Sequence, residues 1–179
     1  MSKQILIWNN SIDFDFVNAV ADKLNCLPED GELDIYLSST GGLVAAEKML
    51  LDIIENRKKQ IGIFCTALLH SAAFSLFFNA KCYRKILPGI VGMYHSATLP
   101  INLNHHGNPA YHDGAAYKKL LMTDDKVEAE YMCDYLEMTP LQKKKVMGGY
   151  DVFFTTEEMQ KFLEISNKKN LILIENPNH

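Results

Sequence analysis

This chain has no long apolar run. None of its hydrophobic stretches approaches the roughly 20 residues that a membrane-spanning helix needs. No signal-peptide pattern opens it either, so a cytoplasmic protein with no membrane partner is expected. It also lacks a surplus of positive charge: 18 Lys and Arg against 22 Asp and Glu give a net charge of −4. That leaves no basic face for nucleic acid. Its four cysteines, Cys26, Cys65, Cys82 and Cys133, include no C-x-x-C pair. Cys65 and Cys82 lie in or beside apolar strands, and buried free thiols in reducing surroundings are the expectation. Neither an internal repeat nor a low-complexity tract is present. What remains is an ordinary globular composition, 47% apolar and 22% charged, over 179 residues. That length fits one domain and can bury a sizeable core.

Read from the N-terminus, short apolar runs alternate with amphipathic ones. Gln4 to Trp8 reads as a buried strand. Ser11 can cap a helix from Ile12 to about Leu24, with Phe14, Val17, Val20 and Leu24 on one face. After the turn at Pro28 to Gly31, Leu33 to Ser38 reads as a second strand that runs into Ser39-Thr40-Gly41-Gly42. A helix from Leu43 to Asn56 follows, apolar on much of its surface, and Arg57-Lys58-Lys59 suits its negative C-terminal pole. A third strand, Gln60 to Cys65, leads through a turn to a small-residue helix from Ser71 to Ala80. Strands at Cys82 to Leu87 and Ile90 to His95 are broken by Pro88-Gly89. This order predicts α/β architecture with a largely parallel sheet.

From Ala97 to Tyr111 the chain turns polar and rich in breakers. A charged helix is predicted from about Asp113 to Glu137, wet on one face, and it reads as a protrusion. Pro140 opens another short helix, Thr139 to Met147. Thr155 or Thr156 caps a last helix, with Glu158 placed for a capping box, and Leu171 to Ile174 reads as a closing strand. The predicted organisation is a single domain, with a head of about 1–98 and 148–179 and a handle of about 99–147.

The residues with chemical potential gather around Ser71. A serine where a strand turns into a helix sits at the positive helix pole, beside backbone N–H groups that lack partners. A nucleophilic serine needs such donors, because the carbonyl oxygen it attacks becomes an anion. An isolated serine at a helix start is commonly just an N-cap. Here it keeps company with a glycine pair upstream, and with His95 and Asp151 downstream. His105, His106 and His112 share a loop without fixed ligand geometry, so no metal is expected, and no cofactor signature is present. Lys143-Lys144-Lys145 reads as a solvated face.

Three stretches resemble the proteolytic subunit of the Clp protease, a serine peptidase of the crotonase-like superfamily. Tyr36-Leu37-Ser38-Ser39-Thr40-Gly41-Gly42 is similar to a family strand that ends in Asn-Ser-Pro-Gly-Gly, with Thr40 at the usual proline. Ala80-Lys81 through Leu87-Pro88 to Met93-Tyr94-His95 resembles the segment leading to the catalytic histidine. Asp151 to Glu158 resembles the segment that opens with the catalytic aspartate. The resemblance covers roughly Asp34 to Ser166 and implies a fold with a largely parallel sheet, flanking helices and a protruding handle helix. It implies a Ser71–His95–Asp151 triad, with the backbone N–H groups of Gly42 and Ala72 as the oxyanion hole. Counting forward from Gly42 puts the family's nucleophile on Ser71; counting backward from His95 puts it on His70. The forward register is favoured because it also matches Asp52 and Cys65 to family positions.

The implied function is hydrolysis of peptides or unfolded proteins by a homo-oligomer, a ring or stacked rings. The alternative is a catalytically inactive structural or accessory subunit. An acyl-CoA enzyme of the wider superfamily is a third reading, without an obvious signature for the coenzyme's adenine. A Ser-Lys peptidase is disfavoured because His95 and Asp151 fit the triad. The chain begins almost at the first strand, so the family's axial segment is expected to be missing, which puts docking of an ATP-driven unfoldase in doubt. Cleavage of short peptides but not of folded proteins is the matching expectation. The long polar link before the handle likewise leaves ring pairing open.

Overall fold

Strands form here where apolar residues alternate between two environments, and helices where the apolar period lengthens to three or four. The computed structural model describes residues 2–96 and 126–175. Two compact units are distinguished, one of residues 1–94 and 153–179 and one of residues 95–152.

In the first unit, Lys3–Trp8 (β1), Glu32–Ser39 (β2) and Ile61–His70 (β3) lie side by side, each pair parallel. The helices Phe14–Asn25 (α1) and Val44–Arg57 (α2) make the crossovers between them. Parallel partners share a face, and Leu33, Ile35 and Leu37 stand against Ile61, Ile63 and Cys65, all six buried. Burial of each large aliphatic side chain contributes about 1.5–3 kcal/mol. The opposite face keeps Tyr36 stacked on Phe64 at 5.0 Å, with Tyr83 tilted against Phe64 at 5.7 Å.

Tyr83–Ile86 (β4) pairs with the first half of β3, and Val91–Tyr94 (β5) with its last three residues, Leu68 to His70. Val152–Phe154 (β6) completes a six-stranded sheet of order β1-β2-β3-β5-β6, with β4 off that path beside β3. The pairings among β1 to β5 are all parallel, as the strand–helix alternation predicts.

Ala72–Asn79 (α3) is buried almost throughout. Its Phe74 ring lies 4.7 Å from Phe78, 5.3 Å from Tyr94 of β5 and 5.3 Å from Phe154 of β6. Such ring pairs add about 0.5–1.5 kcal/mol each beyond their burial. At the other end of α3, the buried Arg84 donates to the carbonyls of Phe77 (3.0 Å) and Phe78 (2.7 Å). The same guanidinium donates to Asn167 Oδ1 at 2.6 Å. A cation at a helix C-terminus satisfies orphan carbonyls and suits the dipole, so both ends of α3 are held.

In the second unit, residues 126–135 are helical (α4) and Pro140–Met147 forms α5. Thr139 and Gln142 make a reciprocal capping box with Pro140 in the first turn. Lys143 ties α5 to α4 through Asp134 (2.7 Å) and Glu130 (3.1 Å). The protruding helix expected over 113–137 is thus described only from residue 126, and the loop histidines His105, His106 and His112 lie outside the described residues. Among the described residues, no helix is long and apolar enough to cross a membrane.

The structure corrects several local expectations. Helix α1 starts at Phe14 with Asp13 as its cap, accepting from the Phe16 amide at 3.0 Å, so Ser11 does not cap it. Ile12 is instead pulled into a bridge with Gly42, and Phe16 rather than Phe14 faces the core. Helix α2 buries only one stripe, Ala46, Glu47, Leu50 and Ile54, and leaves Met49 exposed. Strand β3 runs past Cys65 to His70, because β5 supplies partners that the sequence of β3 cannot reveal. The predicted closing strand at Leu171 to Ile174 does not exist. The last helix, Thr156–Glu175 (α6), continues through it, since no glycine or proline interrupts the chain there. Its start is as expected, with Thr155 and Glu158 exchanging side chain-to-amide bonds at 3.3 and 2.9 Å.

Burial pushes the thiols of Cys65 and Cys82 up to about 12, and that of Cys133 to about 11. Cys26 alone among the four is exposed. Because the thiolate is the nucleophile, native alkylation at pH 8 is expected to modify Cys26 well before the other three. Peptide mapping checks this, and equally fast modification of Cys65 would contradict its burial.

Candidate active site

Strand β3 ends at His70 and helix α3 begins at Ala72, so Ser71 is the single residue of the elbow between them. Its backbone sits at φ 51° and ψ −123°. A non-glycine residue held there carries roughly 1–3 kcal/mol of strain, which persists only where the surroundings dictate it. Among the described residues only Glu137, at the end of α4, shares a positive φ without being glycine. The Ser71 amide donates to the Met93 carbonyl at 2.9 Å, and its own carbonyl accepts from Ser75 at 3.1 Å. Neighbouring strand β5 and the α3 ladder therefore fix the elbow from both sides. Such a sharp strand-to-helix turn projects a serine hydroxyl beyond the sheet, with first-turn helix amides beside it.

The Gly41-Gly42 pair, which follows β2, packs against this elbow. A methyl at Gly41, where φ is +101°, would lie 2.6 Å from Ser71 Cβ and 3.2 Å from the Ala72 nitrogen. At Gly42, where φ is +156°, it would collide with the backbone of Ile12. The glycines thread between Ile12 on one side and Ser71 on the other, which no side chain permits. Two backbone bonds sew this crossing: the Ile12 amide donates to Gly41 O (2.9 Å), and the Leu43 amide to Ile12 O (2.7 Å). Among the described residues, neither the Gly42 nor the Ala72 amide donates to a backbone carbonyl. Gly42 itself is exposed.

In the second unit, His95 Nδ1 stands 3.1 Å from Asp151 Oδ1; the imidazole is mostly buried and the carboxylate half-exposed. A carboxylate at Nδ1 sets the neutral imidazole's tautomer and leaves Nε2 as the basic nitrogen. His70 stands at the end of β3, its ring edge-on to Phe153 at 6.1 Å. Asp52 is exposed on α2, and Cys65 is buried in β3. Among the described residues no cluster of His, Cys, Asp and Glu is arranged to hold a metal ion.

Sequence reasoning places Ile12 in a helix and misses its part in the site. It also misses Ser39, whose hydroxyl clasps Gly41. A serine two residues before a glycine pair is a turn signal that could have pointed to Ser39. Nothing local marked Ile12, whose partner is 30 residues away.

A parallel α/β sheet with a strained serine elbow is the frame on which the comparisons with known proteins fall. A family model of the Clp protease matches residues 1–107, more than half of the chain, and the chain belongs to that family. The match takes in the glycine pair, the elbow and His95, and stops before Asp151. Among solved structures, a mutant of ClpP1 from Listeria monocytogenes is similar, with a TM-score of 0.68 at 17% sequence identity. The likeness covers 88% of this chain and 86% of that one, and it shows a shared fold.

Proposed function

We propose that this chain is a serine peptidase that cleaves peptides or unfolded proteins through Ser71, His95 and Asp151. The observation that carries the reading is the strained backbone of Ser71 between β3 and α3. Backbone strain of this kind clusters at active sites. In the proposed reaction the Ser71 Oγ attacks the scissile carbonyl carbon while its proton passes to His95 Nε2. Asp151, opposite Nδ1, stabilises the imidazolium that forms. The amides of Gly42 and Ala72 receive the developing oxyanion. Collapse breaks the C–N bond, with His95 returning the proton to the leaving amine. Water, activated by the same imidazole, then hydrolyses the acyl-enzyme.

The same reading makes the protein a homo-oligomer. On one face of the sheet Ile5 (55% exposed) and Ile7 (67%) of β1 and Tyr83 (62%) of β4 stand open beside the Lys3–Asp34 ion pair, a surface that a second copy would cover. A fluorophosphonate probe tests the chemistry. The folded protein is expected to gain one adduct, mapped to Ser71 and suppressed by an excess of short peptide. Folded protein with no adduct on Ser71 would sink the peptidase reading and leave an inactive structural subunit in its place.

A further inference from the structure

An oxyanion donor works only if its N–H points at the site, and a peptide between two glycines is the kind that turns over most readily. Neither Gly41 nor Gly42 has a side chain to resist coupled rotation about the bonds that flank their shared peptide. Turned over, the peptide would present the Gly41 carbonyl, instead of the Gly42 N–H, to the developing negative charge. We propose that Ser39 is a positioning residue: with the Ile12 amide, its hydroxyl locks the Gly41–Gly42 peptide with the Gly42 N–H facing the Ser71 side. This inference rests on the peptidase reading for its catalytic consequence, though the lock itself is a structural claim.

Ser39 is 3% exposed at the end of β2. Its Oγ accepts from the Gly41 amide at 3.1 Å and donates to the Gly41 carbonyl at 3.3 Å. One hydroxyl therefore holds Gly41 at both of its backbone polar groups. The Gly41 carbonyl takes a second donor, the Ile12 amide, at 2.9 Å. With no cis peptide among the described residues, the Gly42 N–H lies antiparallel to that carbonyl. Since the carbonyl points at Ile12, the N–H points away from it. That is the side on which Ser71 lies, because the open Cα position of Gly41 faces Ser71 and Ala72. Two donors on the carbonyl oppose the flip. Ser39 contributes the one that a substitution can remove.

The test uses the full-length chain as wild type, Ser39→Ala and Ser39→Thr, with crystal structures and short-peptide kinetics for each. Ser39→Ala is expected to show the Gly41–Gly42 peptide flipped or in two orientations. Its kcat should fall about 10- to 100-fold, the scale of a weakened oxyanion donor, with KM within about twofold. Ser39→Thr keeps the hydroxyl and is expected to retain the wild-type orientation and most of kcat. A Ser39→Ala protein whose peptide orientation and kcat both match wild type overturns the proposal, as does a loss confined to KM. If wild type itself carries no fluorophosphonate on Ser71, the peptidase reading falls. The crystallographic comparison then still decides the lock.

Discussion

Ser71→Gly is expected to abolish peptide turnover while leaving the protein about as stable as wild type. Removing the hydroxyl removes the proposed nucleophile, and loss of such a residue lowers kcat by about 10⁶-fold. The backbone argues in the other direction. Ser71 sits at φ 51° and ψ −123°, a conformation that glycine adopts without a Cβ penalty. Relief of roughly 1–3 kcal/mol of strain outweighs the roughly 0.5–1 kcal/mol that glycine's extra unfolded-state freedom costs. That leaves about 1 kcal/mol, close to what one lost side-chain hydrogen bond costs. The side chain makes no helix-cap bond, so the bond at stake is the one proposed to His95. Peptide kinetics and urea unfolding of both proteins check the two halves. A glycine variant clearly less stable than wild type would mean that the elbow is not strained as its dihedral angles indicate.

Gly41→Ala is expected to damage both properties. The added methyl would meet Ser71 Cβ at 2.6 Å and the His70 carbonyl at 3.0 Å. These are backbone-tied atoms that cannot swing aside. The residue would also have to hold φ +101°, which costs an alanine roughly 1–3 kcal/mol. Relaxation must therefore push the glycine loop and the elbow apart. A displacement of about 1 Å costs about 10²-fold in rate, and a misplaced oxyanion donor costs about 10²–10³-fold. We expect kcat/KM to fall by at least about 10³-fold, with stability lower by about 2 kcal/mol. Activity within tenfold of wild type would show that Gly41 and Ser71 are not packed as described.

These two substitutions separate strain from space. At Ser71 the fold tolerates a bad backbone angle because β5 and α3 hold it from both sides. At Gly41 there is no room to tolerate anything. The difference arises from where each residue lies between its neighbours, and neither is a property of its own stretch of chain.

The alternation of short apolar strands with amphipathic helices was legible because both periods are local. Side chains alternate every second residue in a strand and every third or fourth in a helix. The parallel sheet, the capping box at Thr155 and Glu158, and the Pro140 helix start follow from residues a few positions apart. The Gly41-Gly42 turn and the serine before a helix could be read in the same way. Tertiary structure decided what depended on distant partners. Strand β3 reaches His70 because β5 pairs with Leu68 to His70. Ile12 leaves its apparent helix because Gly41 and Gly42 offer a bridge. The run from Leu171 to Ile174 is the exception, helical for a local reason, since nothing breaks α6 before it. The elbow angle of Ser71 belongs with β3 and Ile12: a sequence names a serine, and only the strand on one side and the helix on the other impose φ 51° upon it.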